Sequence, residues 1–410
     1  MIPTLRSLFH QLLSRKFKFS KLHSHITIYL LILCLCSCQH SNEADKDNSQ
    51  SGNTNLLKLP NPVSISAAEK NKLHTACEHW YNNFLRNSSF NGGMLVAKGG
   101  NIIFEQYQGT NPIGSKDSIN TETPFHIASV SKTITAMAVL KLYENGKIHL
   151  DDEFSKYFPE FNYPGVTIQS LLSHRSGLPN YLYFMEDLGW NDTVNIQNHD
   201  VLNFLINRKA ELKNIAAPNS RFTYCNTNYA LLALLIEKIS GQTFPQFIQL
   251  NIFDPLQMIH SFVFTPAESN RATPNYDWRG HSIPNNYLDY VYGDKNIYTT
   301  PRDLLIWHRA LNNNLFLKAE TLEKAYQPYS NERAGIKNYG FGWRMNNYPN
   351  GKKVIFHNGW WHGNNAAFIR LPDQDVTIIV LGNRYNRGIY KAYKLINVFA
   401  DYFEVMDEEE

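Results

Sequence analysis

The hydrophobic pattern of the chain changes period several times, and each change marks an element. Apolar Leu73, Ala76, Trp80 and Phe84 recur near helical spacing and predict a helix over Ala67 to Phe84. The runs Gly93 to Ala97 and Ile102 to Gln106 flank "KGGN", which predicts a β-hairpin. Between His126 and Gly146, Ile134, Met137, Val139, Leu140 and Leu142 form a wide apolar stripe that Asn145 and Gly146 bring to a stop. A shorter helix is expected over Val166 to Ser173, ending in the turn of "SHRSGLPNY", and another over Tyr229 to Ile239, ending at Ser240 and Gly241. In "YTTPRDLL", Thr300 suits an N-cap, Pro301 the first helical position and Asp303 the end that favours an anion. Further on, Gly342 to Met345, Lys353 to His357, Ala366 to Leu371 and Val376 to Leu381 read as antiparallel strands separated by Asn, Pro and Gly turns. A final amphipathic helix is expected over Tyr390 to Phe403, before the acidic tail Asp407 to Glu410.

Composition sets the scale. With 410 residues, 43% of them hydrophobic and 13% aromatic, the chain can bury a large core, which excludes a disordered protein. The N-terminal region differs from the rest. A basic, acid-free stretch precedes the apolar run Ile26 to Leu35, which has the length of an export-signal core and is too short for a permanent span. The run ends in Leu35, Cys36, Ser37 and Cys38, which resembles the box at which bacterial lipoproteins are cut and lipidated on the cysteine, here Cys38. The expected organisation is a signal peptide over 1–37, a polar tether over 38–60 and a folded domain over 61–406. Loss of Arg6, Arg15, Lys16, Lys18 and Lys21 with the signal would leave 34 basic side chains against 36 acidic ones. No basic stripe or aromatic-interleaved Lys/Arg cluster is present, so nucleic acid is not an expected partner. The domain holds Cys77 and Cys225, which would be either a pair or two separate buried thiols, and no cysteine spacing resembles a metal cage.

Candidate chemistry begins with Ser129 and Lys132. Residues three apart share a helical face, so the Lys132 amine can reach the Ser129 hydroxyl, and a serine becomes a useful nucleophile when a base takes its proton. A serine entering a helix also meets unpaired backbone N–H groups and the positive end of the dipole, which favour an oxyanion. In "FTYCNTN", Tyr224 and Asn226 flank Cys225 and point the same way; a tyrosine can relay a proton, and an asparagine amide can both donate to and accept from a substrate. In "FHNGWWHGN", His357 and Gly359 form a His-x-Gly at a strand end, where a missing side chain would let a substrate lie along the backbone as an added strand. Trp360 and Trp361 would either plug the core edge or wall a cleft. His362 lacks the neighbours a zinc site needs, and His174 is expected to brace its turn. The run "GDKN" at Gly293 to Asn296 reads as loop, with no role to assign.

Ser129-Val-Ser-Lys132, Tyr224-Cys-Asn226 and His357-Asn-Gly359 together resemble, in order and spacing, the serine β-lactamase and penicillin-binding protein superfamily. The likeness is nearest to the branch of class C β-lactamases, DD-carboxypeptidases, D-aminopeptidases and related esterases, and "LLSHRSGLPNY", "IFDPLQM" and "YGFGW" extend it over about Phe90 to Asn383. The resemblance implies an α+β fold: an antiparallel sheet flanked by helices (about 61–125 and 290–406), a mostly helical part (about 126–289) and a cleft between them. It also implies an acyl-enzyme on Ser129, proton transfer by Lys132 and Tyr224, and substrate contacts from Asn226, His357, Gly359 and Trp360. The oxyanion would meet the backbone N–H groups of Ser129 and Trp360. No metal or organic cofactor is implied; the expected partners are a small peptide, amide or ester substrate and a membrane holding the N-terminal lipid. His357 stands where efficient class C enzymes have lysine, which points toward peptidase, aminopeptidase or esterase chemistry.

Overall fold

The structure, a computed structural model, describes residues 56–402; the expected signal peptide, Cys38, the tether up to residue 55 and the acidic tail lie outside them. The strands are β1 (Gly92–Lys98), β2 (Asn101–Gln108), β3 (Phe125–His126), β4 (Phe262–Val263), β5 (Asn275–Tyr276), β6 (Ser282–Ile283), β7 (Ile297–Thr299), β8 (Lys337–Tyr339), β9 (Arg344–Asn347), β10 (Lys353–Trp361), β11 (Asn364–Leu371) and β12 (Val376–Gly382). The helices are α1 (Ala67–Tyr81), α2 (Ser131–Glu144), α3 (Ile168–Leu172), α4 (Tyr181–Asp187), α5 (Asn198–Asn207), α6 (Asn226–Ser240), α7 (Phe244–Ile248), α8 (Asp254–Leu256), α9 (Pro301–Asn312) and α10 (Ala319–Ala325). Seven strands form one antiparallel sheet in the order β2-β1-β12-β11-β10-β9-β8, while β3, β7 and β4 form a small sheet and β5 pairs with β6.

The central strands read as nearly unbroken apolar runs because both faces of the sheet are covered. Met94, Val96, Ala367, Ile369, Ile378 and Val380 pack against Cys77, Trp80 and Tyr81 of α1 and against the C-terminal segment. Their alternates Leu95, Ala97, Ala366, Phe368, Ile379 and Leu381 join the core built by α2, α6 and α9. The result is an α+β architecture in which α2, buried around nearly its whole circumference, connects the sheet to the helices between β3 and β7. Its expected one-sided stripe is therefore incomplete as a description: Thr133 and Thr135 are also fully buried, because their hydroxyls are satisfied by the carbonyls of Val130 and Gly293 (both 2.8 Å).

Several boundaries differ from the sequence expectation. The first helix ends at Tyr81 and continues as a π-helical turn over Asn82–Arg86. The strand expected from Gly342 begins at Arg344, since Gly342 sits against α2, where an added Cβ would lie 2.7 Å from the Lys132 carbonyl. The strand expected to stop at His357 runs on to Trp361. The last helix is a 3₁₀ segment, Arg387–Val398, in which buried Ile389, Ala392 and Leu395 are three apart and so fall in line at three residues per turn. Cys77 and Cys225 are separate buried thiols. Thr300, Pro301 and Asp303 stand as expected, with the Thr300 hydroxyl accepting from the Asp303 amide at 3.1 Å. Among the described residues no helix is long and apolar enough to cross a membrane.

Four buried histidines couple this fold to pH. On α9, His308 accepts from Arg370 Nε at 3.1 Å and donates to Asp375 Oδ1 at 3.2 Å; burial pushes it down to about 4, against the pull of Asp375. His126 is likewise pushed down to about 4 by burial, and His174 and His357 fall well below the usual range for the same reason. An unfolded histidine takes up a proton near pH 6.5, whereas folded His308 and His126 do so only near about 4, so the unfolded state binds more protons between those values. Each of these two should therefore remove about 1.4 kcal/mol of stability per pH unit as pH falls through that window, and His174 and His357 act in the same direction. Thermal melts from pH 7 to pH 4.5 should show a steadily falling Tm, with a shallower slope for His308→Gln; a flat profile would exclude this linkage.

Candidate active site

The nucleophile candidate stands on a 3₁₀ turn, Ala128–Val130, that leads directly into α2. Lys132, one turn on, is fully buried, and its Nζ donates to Ser129 Oγ at 3.1 Å and to the Asp294 carbonyl at 2.7 Å. The rings of Tyr224 and Tyr229 lie 5.0 and 5.7 Å from the same nitrogen. The run "GDKN", read from sequence as loop without a role, turns out to be the bracket that holds this end of α2. Thr135 Oγ1 donates to the Gly293 carbonyl, the Ile297 amide donates to Ser131 Oγ at 3.2 Å, and the Ile127 amide donates to the Ile297 carbonyl at 2.9 Å. Asp294 and Lys295 are 2% and 3% exposed; Lys295 Nζ donates to the Tyr181 hydroxyl, which donates in turn to Asp294 Oδ2 at 3.1 Å.

Tyr224 reaches the same place from the N-terminal end of α6. Cys225, in extended conformation, caps that helix with its side chain 2% exposed, so Tyr224 and Asn226 on either side line the cleft. The Tyr224 hydroxyl is buried and has no hydrogen-bond partner, so the contacts expected of it toward Ser129 and Lys132 are not made in this structure. His174 backs it: the imidazole Nδ1 accepts from the Cys225 amide at 3.1 Å, and the ring lies 4.4 Å from the Tyr224 ring. The brace expected of His174 thus extends to the tyrosine loop.

The third wall is β10. Strand β9 pairs with it only from Lys353 to Phe356, so from His357 to Trp361 that margin carries no strand and packs beside the Ser129 turn. His357 lines the cleft as a neutral imidazole. Its Nδ1 donates to the Asn358 carbonyl at 2.7 Å, leaving Nε2 to accept from the Tyr339 hydroxyl at 3.3 Å. Burial, then the Arg344 and Lys132 charges, hold its proton affinity well below the usual histidine range. The sequence reading of Gly359 needs a different reason. Its Cα faces the protein, and an added Cβ would lie 2.2 Å from the Ile127 carbonyl and 3.1 Å from Ala128 Cβ, so the glycine lets β10 approach the nucleophile's turn. Trp360 is 64% exposed and lines the cleft, with its indole fixed by a 2.9 Å bond to the His362 carbonyl; Trp361 is half-buried. The cleft, about 1050 Å³, holds Ser129, Tyr224, Asn226, His357 and Trp360 on its walls.

Arg344, which sequence reasoning passed over, also lines the cleft; its guanidinium is 5.5 Å from the Tyr224 ring centre, and no described carboxylate pairs with it. Its signal was its position, directly after "YGFGW" at the head of a strand. His362 donates to Asp289 (2.9 Å), and no group of three or more described His, Cys, Asp or Glu side chains is arranged to hold a metal ion.

Residues 83–398 match the Beta-lactamase family. The chain belongs to that family. Among its relatives, penicillin-binding protein 4* of Bacillus subtilis is 32% identical over 338 residues, which cover 77% of this chain and 74% of that one. Protein flp of Staphylococcus aureus is 26% identical over 74% of this chain, and the match spans 61% of its own length. The crystal structure of a penicillin-binding protein from Bacillus halodurans superposes with a TM-score of 0.68 at 25% identity, covering 80% of this chain and 99% of that one. The β-lactamase-family chain therefore has the penicillin-binding-protein fold and is a serine hydrolase of that superfamily. Gly359→Ala should force β10 away from the Ser129 turn, at a cost of about 1–3 kcal/mol in stability. Reactivity of Ser129 toward an acylating probe should fall by more than the lost folded fraction explains; parental reactivity and Tm would show that the close approach is dispensable.

Proposed function

We propose that the protein acylates itself on Ser129 and hydrolyses short peptides or amides that end in a D-amino acid with a free carboxylate. The observation that carries this reading is the pairing of Ser129 with a buried lysine amine at 3.1 Å, on a cleft that also presents the guanidinium of Arg344. Ser129 Oγ attacks the scissile carbonyl carbon while its proton passes to the lone pair of an unprotonated Lys132 amine, assisted by Tyr224. The resulting oxyanion lies against the N–H groups of Ser129 and Trp360, each worth about 3–4 kcal/mol of barrier in such sites. Collapse expels the amine, which takes the proton, and water then releases the acyl group from Ser129. Asn226 holds the amide of the acyl portion, His357 shapes the wall as a neutral hydrogen-bonding ring, and the open margin of β10 receives the substrate backbone. Arg344 supplies the positive charge that a neutral His357 cannot, and a guanidinium suits a carboxylate through its paired donors.

An esterase reading has its own support in Trp360 and Tyr183, which are 64% and 68% exposed on the cleft and would accept a flat apolar leaving group. An acylated sensor without turnover uses the same residues. We place the protein in the bacterial envelope, tethered by lipid on Cys38, on the strength of the basic, apolar and cysteine pattern that precedes the domain. Intact-mass measurement with a fluorescent penicillin should show an adduct on Ser129 that is later shed, and none on Ser129→Ala; a stable adduct favours the sensor, and labelling by phosphonate esters alone favours the esterase. With D-Ala-D-Ala peptides, Arg344→Gln should raise KM by about 30-fold for the free acid and leave the C-terminal amide nearly unchanged. Equal effects on acid and amide would remove Arg344 from carboxylate recognition.

A further inference from the structure

One buried carboxylate that the proposed reaction does not use reaches both sides of the reacting centre. Asp289 lies between β6 and β7 and is 4% exposed. Its side chain holds the end of β10: Trp361 Nε1 donates to Oδ1, and His362 Nε2 lies 3.0 Å from Oδ1 and 2.9 Å from Oδ2. The Asn286 amide donates to Oδ2 as well, so the carboxylate has no free side. Its main chain reaches the other wall. The Asp289 carbonyl accepts from Asn296 Nδ2 at 2.8 Å, Asn296 Oδ1 accepts from His126 Nε2 at 3.1 Å, and His126 Nδ1 accepts from the Ala128 amide at 3.2 Å. Ala128 precedes Ser129, and Trp361 follows Trp360. Each end of the chain of bonds therefore stops one residue short of an N–H group assigned to the oxyanion.

We propose that Asp289 is a positioning residue of the acylation site, setting the separation between the Ser129 turn and the Trp360 segment of β10. This rests on the reading of Ser129 as the acylated nucleophile. Two facts favour positioning over simple core filling. The acceptor is aimed at the two residues that follow Trp360, and the segments it joins are already so close that no side chain fits at Gly359 between them. A shift of either segment would change the oxyanion geometry directly. Burial by itself would raise the Asp289 carboxyl, but the His362 bond and charge, the Asn286 amide and the Trp361 indole hold it below the usual range, so it stays an anion that can only accept.

The test uses the full chain with Asp289→Asn and, to guard against a folding failure, Trp361→Phe, which removes one donor and keeps an aromatic ring. Four quantities are measured: the rate of Ser129 acylation by a fluorescent penicillin, the affinity for an aryl boronic acid that forms a tetrahedral adduct on serine, KM for the carboxylate-bearing peptide, and Tm. Asp289→Asn should slow acylation at least about tenfold and weaken the boronate by a similar factor, with Trp361→Phe intermediate. Both variants should keep the parent's KM for the carboxylate-bearing peptide. Acylation and boronate affinity at parental values in both variants would overturn the proposal, as would losses that only follow the fall in folded fraction. If the parent itself is not labelled on Ser129, the nucleophile assignment fails first and this inference with it.

Discussion

Lys132 carries its amine into the protein interior, where it meets two oxygens, the Ser129 hydroxyl and the Asp294 carbonyl, and two aromatic rings. In a site screened from water, the interaction between that nitrogen and the serine is far stronger than at a surface. It also tolerates little displacement, because an amine moved away from either oxygen would be left unsatisfied in a buried setting. Much of the surrounding architecture serves to keep these atoms still: α2 is packed on all sides, and the Gly293 to Ile297 run grips its first turn through main-chain and hydroxyl bonds.

The same constraint explains how charge is distributed over the cleft. His357 cannot act as a cation beside Lys132 and Arg344, because burial and two like charges oppose its protonation. Positive charge is supplied from the neighbouring strand, where Arg344 heads β9 opposite Phe356. A guanidinium keeps its charge in such company, which an imidazole does not. The third motif therefore contributes shape and main-chain edge, and the strand beside it contributes electrostatics.

Local chemistry made part of this legible in the sequence. Ser129 and Lys132 are three apart, so helix geometry alone brings them together, and Cys225 between Tyr224 and Asn226 follows from alternation in an extended segment. Thr300 and Pro301 mark the start of α9 for equally local reasons, and doubly covered strands announce themselves as apolar runs. What stayed hidden depends on contacts between distant segments. Nothing near Asp294 or Lys295 in sequence says that α2 lies 162 residues away in the chain and beside them in space. Gly359 was recognisable as a special position, but its reason, the Ile127 carbonyl packed against it, belongs to another part of the chain. The C-terminal helix is recognisable as amphipathic, but its 3₁₀ winding and its start at Arg387 depend on packing against the sheet.

The backbone around the nucleophile shows how much of the fold's stability is committed to this geometry. Ala128, Asn296 and His362 all have positive φ, at +48°, +74° and +50°, and none is glycine. A left-handed conformation costs an ordinary residue about 1–2 kcal/mol, less for asparagine. Ala128 adjoins Ser129, Asn296 bonds His126 beneath it, and His362 turns β10 just past Trp360. Such conformations persist only where surrounding contacts over-determine them. Here each is tied in: the Ala128 amide donates to His126, the Asn296 side chain donates to the Asp289 main-chain carbonyl, and His362 donates to the Asp289 carboxylate. Strain on both walls of the cleft is thus held by one connected set of polar bonds, and the sheet, covered on both faces, gives that set a base that does not yield.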